Sequence, residues 1–97
     1  MDNAIVYYSK AIMSNPTNYL FQRRATCYTF QKNYAMALLD YNRSIVIDPS
    51  QAEINYNRGV CYFYVQQKEK ACIDWNKAAS MGDNKANDLL CKYCTGE

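Results

Sequence analysis

The sequence predicts an all-α protein of antiparallel helix–turn–helix repeats, with about six helices in its 97 residues. One basis is a six-residue pattern, R-x2-C-Y-x8-A-x2-D-x-N, which occurs twice at a spacing of 34 residues. A second is the helical spacing of the apolar residues. A fixed period of this length is typical of stacked supersecondary units rather than of one globular core. The two copies are Arg24, Cys27, Tyr28, Ala37, Asp40 and Asn42, and Arg58, Cys61, Tyr62, Ala71, Asp74 and Asn76.

Proline and glycine mark the breaks between the predicted helices. Asn15-Pro16 and Asp48-Pro49 each end a helical run, because the residue before proline disfavours the helical conformation. Gly82 follows a third run, where glycine is favoured just beyond a helix end. The apolar spacing between these breaks predicts helices near 2–14, 18–31, 34–47, 52–65, 68–81 and 84–94. The short connections require neighbouring helices to run antiparallel.

Composition and charge exclude several classes of protein. With 49% hydrophobic and 21% charged residues, a disordered chain is not expected. The net charge of +2 comes without a basic block, so attraction to nucleic acid or to a membrane surface is weak. The apolar stretches are shorter than the roughly 18 residues of a membrane span. Because the chain also lacks histidine and a glycine-rich phosphate loop, we predict no catalytic residue, no metal site and no cofactor.

Two segments, 18–51 and 52–83, resemble tetratricopeptide repeats, whose motif runs W-x2-L-G-x2-Y, then A-x3-F, a second alanine and a proline. The matching residues are Phe21, Ala25, Tyr28, Ala37, Tyr41, Ser44 and Pro49 in the first segment, and Asn55, Gly59, Tyr62, Ala71, Trp75 and Ala78 in the second. Residues 2–17 resemble the second half of a repeat, and 84–94 a capping helix. The resemblance implies a single domain, residues 1–97, folded as a right-handed α-solenoid.

Arginine replaces the leucine of the family motif in both repeats, at Arg24 and Arg58. An aspartate follows sixteen residues later in each repeat, at Asp40 and Asp74. If the helices pair as in the family, each arginine lies opposite its aspartate, and a half-buried charge needs such a partner. We therefore predict two structural ion pairs. The alternative is that the arginines contact a ligand.

In this family the first helix of each repeat lines a concave groove, and the resemblance places ten residues of this chain there. They are Tyr19, Gln22, Arg23, Thr26 and Phe30 from the first repeat, and Tyr56, Asn57, Val60, Phe63 and Tyr64 from the second. Aromatic, amide and guanidinium groups suit a peptide ligand, because they offer large contact area at low entropic cost. Some relatives clamp the terminal carboxylate of chaperone tails with lysines, asparagines and an arginine. Here Asn57 and Arg23 could serve, but Gln22 and Glu53 replace the lysines.

The five cysteines are an odd number, so they cannot all form disulfides within one chain. The simplest interpretation is reduced thiols that act as small core residues in a reducing compartment, which predicts the cytoplasm. Cys91 and Cys94 have C-x2-C spacing, but zinc needs four ligands and only Cys72 could be a third. A thiol-based metal or redox site is therefore the less favoured alternative to a plain capping helix.

The leading half repeat leaves the apolar face of its helix partly uncovered, through Ala4, Ile5, Tyr8 and Ile12. Solenoid ends normally carry a polar cap, so we expect a piece of a longer repeat array, and possible self-association as a homodimer through this helix. The predicted function is a non-catalytic protein–protein interaction module that presents a groove to a peptide or partner domain. The alternative is a structural spacer within a longer repeat protein.

Overall fold

The computed structural model describes residues 2–94, which form six α-helices and a final π-helical turn. The α-helices are α1 (Asp2–Ser14), α2 (Asn18–Phe30), α3 (Tyr34–Ile47), α4 (Ala52–Tyr64), α5 (Lys68–Ser80) and α6 (Asn84–Leu89), and the π-turn is Leu90–Cys94. No strand occurs within these residues. The predicted all-α class is confirmed, and the first five helices end within one residue of the predicted positions. The last helix differs, because its α geometry stops at Leu89.

The helices group into two compact units, an N-terminal unit up to Pro49 and a C-terminal unit from Ser50 onward. In the N-terminal unit, α2 packs against both α1 and α3. In the C-terminal unit, α5 packs against α4 on one side and against α6 and the π-turn on the other. Each unit therefore contains one helical hairpin, α2–α3 or α4–α5, and one additional helix.

Several helices have a polar N-cap residue, whose side chain accepts a hydrogen bond from a backbone N–H that has no partner within the helix. Thr17 Oγ1 accepts from Leu20 N at 3.2 Å before α2. Before α6, Asp83 Oδ1 accepts from Lys85 N at 2.9 Å. The first backbone N–H groups of a helix have no partner within it, so these caps help to fix where the helices begin.

Three helices end in the same backbone motif, in which one residue adopts a left-handed conformation. These residues are Lys32 (φ 62°), Gln66 (φ 67°) and Gly82 (φ 103°). In each case the next residue donates its N–H to a carbonyl five positions earlier, for example Asn33 N to Tyr28 O at 2.9 Å. This is the Schellman motif, which satisfies carbonyl groups at the helix end and reverses the chain.

The α4–α5 hairpin crosses closely at Gly59. A Cβ atom on Gly59 would lie 2.6 Å from Trp75 Nε1, a distance at which the two side chains would clash. The Trp75 ring is 1% exposed, and its Nε1 donates to Tyr56 O at 3.2 Å. In the N-terminal hairpin the matching positions hold Ala25 and Tyr41, both buried. The equivalent helix crossings of the two hairpins are therefore filled by different pairs of residues.

The cysteines depart from the expectation of five reduced thiols. Cys72 of α5 and Cys94 at the end of the π-turn form a disulfide, with their Cα atoms 5.9 Å apart. Cys27 and Cys61 are buried thiols, as their repeated positions predict, and Cys91 is an exposed thiol. Cys94 therefore pairs with Cys72 of α5 and not with Cys91, the other cysteine of the C-x2-C spacing.

Candidate functional site

Each hairpin holds an arginine–aspartate pair with two hydrogen bonds. Arg24 Nε and Nη2 donate to Asp40 at 2.7 and 2.9 Å, and Arg58 Nε and Nη2 donate to Asp74 at 2.8 and 2.7 Å. The aspartates are buried, with 2–3% of their surface exposed. Arg24 Nη1 also donates to Ser9 Oγ of α1 at 3.0 Å. The guanidinium groups therefore lie among protein groups rather than at an open ligand-facing surface.

The two arginines are held firmly in the charged form. Hydrogen bonding to Asp40 raises the pKa of Arg24, and hydrogen bonding to Asp74 raises the pKa of Arg58. Burial lowers both pKa values, but the hydrogen bond is the larger effect. Bidentate pairing of this kind also fixes the guanidinium plane, which gives the contact geometric specificity.

A cavity of about 190 Å³ lies in the C-terminal unit, between α4, α5 and the final helical segment. We call it the aromatic pocket. Its lining residues are Tyr56, Val60, Phe63, Tyr64, Trp75, Leu89 and Tyr93. Four of them are among the five groove residues predicted for this repeat. The fifth, Asn57, is half-buried on α4 but does not line the cavity.

Aromatic rings pack against one another around the aromatic pocket. The Phe63 ring centroid lies 4.6 Å from that of Tyr93 and 5.8 Å from that of Trp75. Trp75 and Tyr93 are 6.3 Å apart by the same measure. Trp75 also belongs to a buried cluster with Ala71, Ala78 and Ala86. Leu89, Leu90 and Tyr93 pack against this cluster. The pocket therefore has preformed aromatic walls, against which an apolar side chain of a ligand can pack.

Two lysines flank the aromatic pocket. Lys85 Nζ lies 4.8 Å from the Tyr56 ring centroid, and Lys92 Nζ lies 5.5 Å from that of Tyr93. Both lysine residues are exposed, so their charges remain available to a ligand. The sequence prediction assigned no binding role to Lys85, Leu89, Trp75 or Tyr93. Apolar spacing identified Leu89 and Tyr93 only as residues of a capping helix.

The predicted groove residues of the N-terminal unit are not gathered in the same way. Tyr19 and Phe30 are 59% and 69% exposed. A side-chain hydrogen bond with Tyr8 of α1 raises the pKa of Arg23, whose guanidinium lies 5.9 Å from the Tyr19 ring centroid. Thr26 Oγ1 donates to Gln22 O at 3.0 Å, within its own helix. Tyr19, Arg23 and Phe30 are exposed and Gln22 and Thr26 are half-buried, and none of the five lines a cavity found in this unit.

A second cavity, of about 390 Å³, lies in the N-terminal unit but is lined by none of the predicted groove residues. Its lining residues are Phe21, Asn42, Arg43, Val46 and Ile47. Val46 and Ile47 at the end of α3 are 81% and 50% exposed. This cavity is therefore an open apolar surface beside α3, separate from the side chains for which a binding role is predicted.

Residues 2–94 lack two features that would indicate other classes of protein. Within that range, no helix is both long and apolar enough to cross a membrane. The same part of the chain contains no cluster of three or more histidine, cysteine or acidic residues with the arrangement of a metal site.

The chain is similar in sequence to a heat shock protein and in structure to a TPR domain, although no family model matches it. It is 34% identical over 89 residues to heat shock protein STI1 of Saccharomyces cerevisiae, a match that covers 88% of this chain and 15% of that protein. Its fold matches the first TPR domain of Spaghetti (RPAP3) bound to the HSP90 peptide SRMEEVD, with a TM-score of 0.90 and 27% identity. That match covers 95% of this chain and 75% of the other.

The repeated helical hairpins and the preformed pocket define a helical-repeat interaction module. Together with these similarities, they show that the chain belongs to the tetratricopeptide repeat family. The fold and these similarities support a protein–peptide interaction module. It spans 15% of the length of STI1, so the activity and partners of the whole relative are not transferred to it.

Proposed function

We propose that the chain binds a short peptide segment of a partner protein, and that one apolar side chain of this segment enters the aromatic pocket. The observation that carries the proposal is the convergence of Tyr56, Phe63, Trp75 and Tyr93 on one cavity that is open to solvent. Large aromatic groups in a preformed recess contribute strongly to binding, since they bury area at low entropic cost.

The charges around the pocket favour a peptide with acidic residues beside its apolar one. Lys85 and Lys92 stand next to two aromatic wall residues, and the pocket lining contains no carboxylate. The peptide bound by the similar RPAP3 domain, SRMEEVD, combines methionine and valine with acidic residues. A ligand of that composition would match both the apolar recess and the flanking cations.

Binding is tested by titrating the purified chain with the peptide SRMEEVD and with a scrambled peptide of the same composition. Tyr56→Ala should weaken binding of SRMEEVD by about tenfold or more, the effect of removing an aromatic anchor. The backbone carbonyl that accepts the Trp75 hydrogen bond remains in this variant, so the hairpin should stay folded. Lys85→Gln should weaken binding less, and its effect should shrink at high salt because exposed charges are screened.

Ile73→Ala is the matched control, because Ile73 is an exposed apolar residue of the same unit that does not line the pocket. It should leave the affinity for SRMEEVD unchanged. If the peptide binds Tyr56→Ala as tightly as the unaltered chain, the aromatic pocket is not the binding site. If no acidic peptide binds at all, the spacer alternative is favoured.

A second candidate role is self-association through α1. The residues predicted to be uncovered, Ala4, Ile5, Tyr8 and Ile12, are only half-buried. The most exposed apolar residues of the helix are instead Val6, Tyr7 and Met13, at 53%, 65% and 85%. We also infer that the module is non-catalytic, that it does not bind nucleic acid and that it acts in the cytoplasm, where a disulfide such as Cys72–Cys94 would be transient rather than permanent. The near-balanced charge and the absence of histidine support the first two of these points.

A further inference from the structure

We infer that the Cys72–Cys94 disulfide is a redox-sensitive tether that holds Tyr93 in the wall of the aromatic pocket and so controls peptide affinity. The affinity part of this inference rests on the proposed function. The tether itself can be tested without any peptide.

The geometry couples the disulfide to the pocket through adjacent residues. Cys94 is bonded to Cys72 of α5, which lies 22 positions earlier in the chain. Its neighbour Tyr93 has its ring centroid 4.6 Å from that of Phe63 and 6.3 Å from that of Trp75. A covalent link at position 94 therefore restrains the side chain at position 93 against α4 and α5.

The segment that carries Tyr93 has few other restraints. Helix α6 has only six residues, and an isolated helix of that length is not stable in water. The π-turn that follows has exposed residues, Cys91 and Lys92, on one side. On its other side, Leu90 and Tyr93 pack against the buried cluster. Without the disulfide, only noncovalent contacts such as this packing would hold the turn in place.

Both sulfur-bearing residues are half-buried, so a small thiol can reach the bond. A dithiol reductant would act by thiol–disulfide exchange. Its thiolate attacks one sulfur of the bond and forms a mixed disulfide, and the other cysteine leaves as a thiolate that takes up a proton. The second thiol of the reductant then displaces the remaining cysteine. The protein disulfide gains two electrons and two protons, and the dithiol becomes a disulfide.

The oxidised chain should bind peptide more tightly than the reduced chain. With the bond intact, Tyr93 is already placed as a wall of the pocket, so binding does not have to order it. After reduction, the turn samples conformations in which Tyr93 leaves Phe63. Losing one aromatic wall contact should weaken the affinity for SRMEEVD by about two- to tenfold.

The experiment compares the oxidised chain with the chain treated with dithiothreitol, and both with Cys72→Ser, which cannot form the bond. The first readout is amide hydrogen exchange of residues 90–94 without peptide. It is complemented by the fluorescence of Trp75, the single tryptophan of the chain. Reduction and Cys72→Ser should both accelerate exchange in this segment and change the fluorescence. The second readout is the affinity for SRMEEVD, which should fall in both cases.

Cys91→Ser is the matched control, because Cys91 is an exposed thiol on the same turn and takes no part in the disulfide. It should show the same redox response as the unaltered chain. Unchanged exchange and fluorescence on reduction would overturn the tether. A change in both with unchanged affinity would overturn its control of binding. If neither redox state binds the peptide, the proposed function fails, and the exchange data still decide the tether.

Discussion

Arg58 and Asp74 show what a single charged pair does inside a helical hairpin. The Asp74 side chain is 4% exposed and the Arg58 side chain 21% exposed, so both have lost most of their contact with water. Two hydrogen bonds compensate for this desolvation. A buried pair of this kind contributes little net stability, but it leaves a costly unpaired charge when one member is removed.

We expect Asp74→Ala to destabilise the protein by about 2–4 kcal/mol, because it leaves the Arg58 guanidinium half-buried without its carboxylate. The double variant Arg58→Met/Asp74→Leu should lose much less, since neither charge remains. Thermal and urea melts of the three proteins measure the difference.

Asp88→Ala, at an exposed position of α6, is the control and should melt like the unaltered protein.

The raised pKa of Arg58 means that the stabilisation it contributes to the folded state is complete at all pH values below the ordinary pKa of arginine. It is lost only as the pH rises through the higher folded value, in strongly alkaline solution. Melts at pH 7 and pH 9 should therefore give the same energy difference for this pair. A double variant less stable than Asp74→Ala would contradict the structural role.

The ends of α2 and α4 carry a cost in backbone conformation. Lys32 and Gln66 adopt positive φ angles, which L-residues other than glycine rarely favour. The equivalent residue after α5 is Gly82, for which the conformation costs nothing. Lysine and glutamine give no sequence signal of this turn, so the motif is recognisable only in the structure.

Lys32→Gly and Gln66→Gly should each stabilise the protein by about 0.5–1 kcal/mol, because glycine removes the steric cost of the left-handed conformation. Equilibrium denaturation with urea is a suitable measurement. Gly82→Ala is the reciprocal control and should destabilise the protein. If the glycine variants are less stable instead, the gain at the turn is smaller than the unfolded-state entropy that glycine adds.

The helix boundaries could be predicted because local residues mark them. Pro16, Pro49 and Gly82 lie at breaks, and the apolar spacing between breaks is helical. The change to π geometry at Leu90 could not be predicted in this way, since the apolar spacing of 84–94 also fits a continuous α-helix. The disulfide of Cys94 joins it to Cys72 in a different helix, and a pairing between helices is not encoded in the local pattern.

Only part of the candidate site could be predicted from the sequence. Tyr56, Val60 and Phe63 recur at helical spacing on α4, so they lie on one side of that helix. The repeat motif predicts Trp75 without a binding role, whereas in the structure it is both a core residue of its unit and a wall of the pocket. Lys85 lies beside Tyr56 because of how α6 packs, which the repeat pattern does not specify.

At the scale of the whole molecule, the exposed apolar residues of α1 bear on its state of association. Val6 and Met13 lie seven residues apart, two helical turns, and therefore on one side of the helix. Scattered exposed apolar residues are ordinary, but a row along one helix can pair with the same row on a second copy.

We expect the chain to form a homodimer at high concentration and expect Val6→Glu/Met13→Glu to abolish it, because a charged row cannot pair with its own copy. Sedimentation equilibrium over a range of concentrations measures this association. Ile73→Glu places the same charge on another exposed apolar residue and should leave association unchanged. If the unaltered chain remains monomeric at the highest concentration, the dimer is excluded.

The close crossing of Gly59 and Trp75 also has a consequence for how such repeats can evolve. A chimaeric hairpin joining α2 to α5 would set Ala25 against Trp75, where a Cβ atom meets the indole at 2.6 Å in the present arrangement. The reverse chimaera, α4 joined to α3, would set Gly59 against Tyr41 and leave empty space. Although the two copies share a 34-residue register, their halves are not interchangeable parts. Unequal recombination between them would be tolerated only with breakpoints that keep each crossing pair together.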